Sequence, residues 1–270
     1  MSLSFFIKSK YPEVWKKNIR DTMLLNNPTP MKVIEKPKPI KKLFPTANFR
    51  KVEEVGLAYE YLKERKLDKF KNKFLYIEDF IGFYNEIAKN GNKGTYDPRL
   101  VIPFTKKDTK EIYAFQGRAL IGQKPKYLTI IIDENYGKLY NFYNLNINKT
   151  VYFTEGPIDS MFLPNSFALS GAKVNAEFFK KILKIKDLVY IPDTDFIYNQ
   201  YIRQGLKQFI DAGLKIYIPT EKYKKYKDIN DLIIGGLSKE KVKEVIDANT
   251  YEGVLATAKL STFKIKGDIL

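Results

Sequence analysis

From Thr150 onward the chain alternates short apolar runs with amphipathic ones, and this alternation restricts the possible folds more than any other feature. TVYFTEG, SFALSGA, DLVYIPD and LKIYIPT read as strands. PIDSMFL, NAEFFKKILK, FIYNQYIRQGLKQFIDAG and IGGLSKEKVKEVIDAN read as helical segments between and after them. Strands that alternate with helices imply βαβ units and a mostly parallel sheet. Strands apolar throughout fit burial on both faces, as such sheets require. The expected class is α/β, a parallel sheet flanked by helices.

Ligands of open parallel sheets sit beyond the carboxyl ends of the strands, where the strand order reverses. With the common order 2-1-3-4, the first and third strands flank that reversal. The first strand ends at Glu155, with Asp159 one helical turn on; the third ends at Asp193, with Asp195 two residues later. Four carboxylates would thus converge from two distant stretches. Such a cluster repels itself unless a cation neutralises it. Hard oxygen donors favour Mg2+ or Mn2+ over zinc. Two ions about 3.5–4 Å apart can clamp the attacking and leaving oxygens of a phosphoryl transfer.

Each acid also has an ordinary explanation. Asp159 follows Pro157 in a first helical turn, where the helix dipole favours a negative charge. Asp195 is a candidate N-cap for a helix from Phe196, and Asp193 a turn residue. Glu155 ends an apolar strand beside Gly156, which is harder to explain structurally. A further acidic motif, Lys227-Asp228-Ile229-Asn230-Asp231, suits a helix start, with Asp228 as N-cap and Asp231 at the third position. The same two carboxylates are also candidates to join the metal cluster.

Upstream the texture differs. Residues 1–27 read as an amphipathic segment with Phe5, Phe6, Ile7, Trp15 and Ile19 as apolar members. Residues 28–48 hold five prolines, and Lys32 to Lys51 carries seven basic residues against one acid, Glu35. Proline excludes regular helix and sheet there, so an extended basic linker is expected, either a passive spacer or a strap along phosphates. Residues 52–90 read as mostly helical, with Val55, Leu57, Ala58, Tyr61, Leu62 and Leu67 near helical spacing. RLVIPF, EIYAFQGRAL and PKYLTIIID then read as strands, the first two joined as a hairpin across KKDTK. The expected organisation is 1–48, N-terminal helix and basic linker; 49–148, a mixed α+β subdomain; 149–236, the acidic α/β domain; and 237–270, a closing helix and tail.

Charge and composition narrow the chemistry. The balance of 47 Lys+Arg against 31 Asp+Glu gives +16, which attracts polyanions, nucleic acid foremost. The chain has no Cys and no His. Disulfides, thiolate catalysis and a Cys/His zinc site within it are therefore excluded. No apolar run approaches the ~18–20 residues that span a bilayer, and the opening residues lack a secretory pattern. A soluble cytoplasmic protein without a membrane partner is expected.

E-G-x-x-D at Glu155–Asp159 and D-x-D at Asp193–Asp195 resemble the Toprim signature of DnaG-type primases, topoisomerases and certain nucleases. The series R-L-V-I-P-F from Arg99, A-F-Q-G-R-A-L from Ala114 and P-K-Y-L from Pro125 is similar to the basic half of DnaG-type primases. T-E-G-P-I-D-S at 154–160, K-D-I-N-D-L at 227–232, the opening S-L-S-F-F-I-K-S and the Pro-rich linker resemble the primases of large tailed, T-even-like phages. The resemblance implies a primase core that polymerises short RNA primers on single-stranded DNA. Glu155, Asp193 and Asp195 would be its main metal-binding and catalytic acids, with Asp159, Asp228 and Asp231 supporting. Arg99, Arg118 and Lys126 would contact template or ribonucleoside triphosphate in a basic groove between the two domains, and Tyr127 would stack on a base. A replicative helicase is the implied partner.

Such primases usually carry a Cys-rich zinc ribbon that helps choose start sites. This sequence has no cysteine for one, so the ribbon is expected in a separate polypeptide or to have been lost. Three other functions compete. A Toprim nuclease would use the same acids but not the Arg99 and Arg118 series. A topoisomerase fragment needs a nucleophilic Tyr on a further domain. A non-catalytic DNA- or helicase-binding replication subunit would not need the full acid set.

Overall fold

The computed structural model describes residues 49–88, 96–107 and 109–263. The amphipathic segment and the Pro-rich linker read from the sequence lie outside these residues. The described chain forms two compact units that divide between Asn144 and Leu145.

The first unit is built on a five-stranded sheet of order β1-β2-β3-β4-β5, every pair antiparallel. Its strands are β1 (Arg50–Lys51), β2 (Leu75–Ile77), β3 (Arg99–Thr105), β4 (Ile112–Ala119) and β5 (Tyr127–Ile131). The hairpin expected across KKDTK is the β3–β4 pair. Pro103 sits in β3 beyond its last partner on β2, where the strand has β4 as its one neighbour. Proline, which cannot donate to a ladder, is tolerated there. Helix α1 (Gly56–Glu64) precedes β2, and α2 (Phe80–Ala88) follows it. Phe80 and Phe83 of α2 pack with Ile77, Val101, Phe115 and Ile130 into one buried cluster.

The expected helical stretch 52–90 is thus interrupted. Lys66 adopts a left-handed φ of 56° just after α1, a 3₁₀ stretch spans Asp68–Lys73, and β2 follows. A three-residue strand leaves too short a pattern to compete with the flanking helical spacing.

The second unit carries a five-stranded sheet of order β10-β9-β8-β6-β7. The strands β6 (Val151–Thr154), β7 (Ser166–Ala168), β8 (Leu188–Ile191) and β9 (Lys215–Tyr217) are mutually parallel. Helices α3 (Pro157–Ser160), α4 (Ala176–Ile182) and α5 (Gln200–Asp211) connect them. The order β7-β6-β8-β9 is the 2-1-3-4 arrangement expected, so β6 and β8 lie side by side at the reversal. Phe153 stacks between Phe167 and Tyr190 with centroids 5.0 and 4.5 Å away, one ring from each of three adjacent strands. Phe209 of α5 covers this stack, 4.6 Å from Tyr190.

Two details differ from expectation. The run from Phe196 is not one helix: a 3₁₀ turn spans Thr194–Ile197, and α5 starts afresh where the Asn199 side chain accepts from the Tyr201 and Ile202 N–H groups. The stretch from Tyr251, expected only as a tail, is folded as far as Phe263. After α6 (Ile229–Ile234) and α7 (Lys239–Ala248), β10 (Thr250–Tyr251) adds an antiparallel edge to β9. Helix α8 (Gly253–Ser261) then contacts α5 and β9. No described helix is long and apolar enough to cross a membrane.

Candidate metal and nucleotide site

The acids of the second unit gather where β6 and β8 end. Glu155 is the first residue after β6, and the backbone leaves the strand there through extended Gly156 into Pro157 at the start of α3. Asp193 lies two residues after β8 and opens the 3₁₀ turn that carries Asp195. Strand register joins the two segments, since Thr154 pairs with Ile191. The Asp193 N–H donates to Glu155 Oε1 at 3.3 Å, and the Tyr190 hydroxyl lies 3.5 Å from the same oxygen.

The other three acids bind the loop that starts α6. Asp228 caps it, its Oδ1 accepting the Asp231 N–H at 2.8 Å. Asp231 Oδ2 accepts the Lys227 N–H at 3.2 Å, and Asp159 Oδ1 accepts the Asn230 N–H at 3.0 Å across from α3. The expected cap at Asp228 is therefore present, whereas Asp195 caps no α-helix; Asn199 does that for α5. The six acids named from the sequence do not form one ligand shell: among the described residues, no group of three or more closes tightly enough to cage an ion alone. One carboxylate oxygen each of Asp159, Asp228 and Asp231 is engaged by a backbone N–H group.

The acids are nevertheless electrostatically crowded. Burial, then the charges of Glu155 and Asp228, push Asp193 up to about 7, with Lys227 opposing and Asp195 adding to the rise. Burial also raises Glu155, against the Asp193 N–H that favours its charged form. Lys227, which the sequence places in the acidic motif without a role of its own, puts its ammonium 2.8 Å from Asp195 Oδ2 and 3.8 Å from Asp193 Oδ2. One positive charge facing several negative ones leaves a deficit that a divalent ion would fill. Mg2+ typically takes one or two carboxylates and completes its shell with water and phosphate, so an open, all-oxygen set suits it. Glu155, Asp193 and Asp195 are the acids best placed to hold it.

The basic residues of the first unit divide into two kinds. Arg99, expected to touch template or nucleotide, is turned inward and 1% exposed. Its Nε donates to Asp97 Oδ2 at 2.8 Å and its Nη1 to the carbonyls of Pro125 (2.9 Å) and Gly117 (3.3 Å), with the Phe80 ring beneath. A buried guanidinium needs such a set of acceptors, and satisfying it leaves Arg99 a framework residue. This also explains the glycine in A-F-Q-G-R: a Cβ at Gly117 would fall 2.7 Å from the Phe80 ring and 2.8 Å from Arg99 Cδ.

Arg118 differs. It is 8% exposed, with its guanidinium 4.8 Å from the Tyr127 ring and 5.6 Å from the Tyr61 ring. Among the described residues its Nε and Nη1 have no hydrogen-bond partner. Leaving buried donors unsatisfied costs roughly 1–3 kcal/mol each, so such groups call for an acceptor, which water or a ligand can supply. Lys126 is exposed beside Tyr127, which keeps one edge open. The Arg99 bond to the Pro125 carbonyl fixes the backbone just before this pair. Tyr61 was also missed as a site residue, because helical spacing alone marks it as core.

No family model matches the chain. It is 29% identical to the DNA primase of Enterobacteria phage T4 over 279 residues, covering 97% of this chain and 78% of that protein. It is 22% identical to the DNA primase of Thermotoga maritima, over 92% of this chain and 44% of that longer protein. Among solved structures, a DnaG primase catalytic domain bound to ssDNA superposes with a TM-score of 0.55 at 17% identity, over 77% of this chain and 78% of that one. The E. coli primase catalytic core gives 0.51 at 15% identity, over 74% of each.

Proposed function

We infer that this chain, a homologue of phage T4 DNA primase along almost its whole length and folded like a DnaG catalytic core, is a DnaG-type DNA primase that synthesises RNA primers. The observation that carries the assignment to a site is the meeting of Glu155 with Asp193 and Asp195 at the ends of neighbouring parallel strands. The proposed substrates are ribonucleoside triphosphates and a single-stranded DNA template, the latter in keeping with the ssDNA-bound DnaG domain that shares this fold.

In this reading Glu155, Asp193 and Asp195 hold Mg2+ or Mn2+, which would supply charge neutralisation at the transferring phosphate. Glu155 also assists transfer of the proton from the attacking 3′-hydroxyl. Asp159 ties α3 to the start of α6, and Asp228 and Asp231 shape the loop that begins α6, so the three support the metal-binding acids. The unpartnered donors of Arg118 grip phosphate, since a guanidinium matches its oxygens in a planar fork. Lys126 adds a point charge, and Tyr127 offers a face to a base. The chain's contribution is positioning and electrostatic complementarity to the charge that develops. A replicative helicase and a separate zinc-ribbon protein are the proposed partners for loading and start-site choice.

The test is synthesis of labelled ribonucleotide primers on single-stranded DNA, with and without Mg2+. It should be run alone and with a candidate helicase and zinc-ribbon protein. Short products that require the divalent ion are expected. Their absence in every combination would refute the polymerase assignment.

A further inference from the structure

We propose that Lys227 is a resident counter-ion of the acid cluster, which a divalent cation displaces and which then serves the phosphates of the substrate. The inference rests on the metal reading of Glu155, Asp193 and Asp195 and assigns a role to a residue outside that set.

The backbone of Lys227 is pinned from both sides. Its carbonyl accepts the Thr194 N–H at 2.8 Å, tying it to the segment between the two aspartates. Its own N–H donates to Asp231 Oδ2 at 3.2 Å. The carbonyl of the preceding Tyr226 accepts the Thr194 hydroxyl at 3.2 Å, a second tie. The side chain is not held in this way. It is 52% exposed, and its ammonium bridges Asp195 at 2.8 Å and Asp193 at 3.8 Å. The anchor is thus fixed beside the acids while the charge at the end of a flexible stem can move.

A cation bound directly by Asp193 and Asp195 needs the lone pairs that this ammonium now faces. Mg2+ lies about 2.0–2.1 Å from its oxygens, so both cations cannot sit against the same carboxylates without strong like-charge repulsion. The weaker, monovalent partner must leave. Its tether keeps it at the rim of the site, where a triphosphate brings new negative charge.

Mn2+ binding to the full chain, followed by electron paramagnetic resonance, tests this directly. An exposed ion pair is worth up to about 1 kcal/mol, so Lys227→Met should bind Mn2+ about two- to five-fold more tightly than wild type. Lys227→Arg should stay near wild type, and so should Lys225→Met, which removes an equal charge that faces the Tyr226 ring instead of the acids. In EDTA, Lys227→Met should melt at a lower temperature than wild type and recover more on adding Mg2+. Its KM for ribonucleoside triphosphate should rise although its metal affinity improves, a pairing that a purely structural role does not produce. Unchanged or weaker Mn2+ binding by Lys227→Met, or equal tightening in Lys225→Met, would overturn the counter-ion role alone. Failure of wild type itself to bind Mn2+ would overturn the metal reading and this inference with it.

Discussion

Asp193 carries the largest tension in the second unit. Its pKa in the folded chain stands near 7, above the ~3.9 of an unfolded aspartate. A raised acid binds its proton more tightly in the folded state, so its contribution to stability is greatest below pH ~4 and falls as pH rises through about 7. In EDTA, Asp193→Asn should therefore be more stable than wild type at pH 8, on the order of 2–4 kcal/mol, with the gap closing towards pH 4. Denaturant unfolding at both pH values measures this. A difference independent of pH would show that the charge is not the cause. Arg99 and Arg118 should separate by readout. Arg99→Gln leaves Asp97 unpaired in the core and should cost about 3–5 kcal/mol of stability. Arg118→Gln should leave stability nearly unchanged and weaken nucleotide or template binding at least ten-fold, measured by fluorescence anisotropy. Equal destabilisation of both would contradict the distinction. The sequence could not make it: both arginines stand in strands beside apolar residues, and only the Asp97 partner and the Gly117 contact turn Arg99 inward. The role of Lys227 was hidden for a related reason, since its place in the acidic motif says nothing of Asp195 until the fold brings the two together.

At the level of elements, alternating apolar and amphipathic runs were long enough to reveal β6 to β9 and their order. The acids then fell at the switch point by geometry alone. The short β10 and β2 were not legible, because neither lies in a run of alternating strands and helices and their pairing is set by tertiary contact. Local capping chemistry was readable at Asp228 and misread at Asp195, where a 3₁₀ turn postpones the helix to Asn199. Replacing Gly117 by Ala tests the close packing of β4 against Phe80 and Arg99. The contacts at 2.7–2.8 Å leave no room, so a loss of about 1–3 kcal/mol in urea unfolding is expected. A neutral outcome would mean that the β3–β4 pair can part without cost.

Across the whole chain, an excess of 16 positive charges coexists with a local cluster of acids at the ends of β6 and β8. Those two facts are compatible when the cluster receives a divalent ion and the rest of the surface receives phosphate. Single-stranded DNA binding should consequently weaken steeply with salt, and the slope of log affinity against log salt should drop by roughly 0.7 for each phosphate contact removed. Lys126→Ala should lower that slope by about this amount; an unchanged slope would remove Lys126 from the contact. The measurement that bears most directly on the chain's activity is primer synthesis by Glu155→Gln and Asp193→Asn, with folding and DNA binding checked in parallel. Both variants should fold and bind template yet lose synthesis by at least a hundred-fold. Primer synthesis at the wild-type rate by either would contradict the assignment of the acid cluster as the catalytic centre.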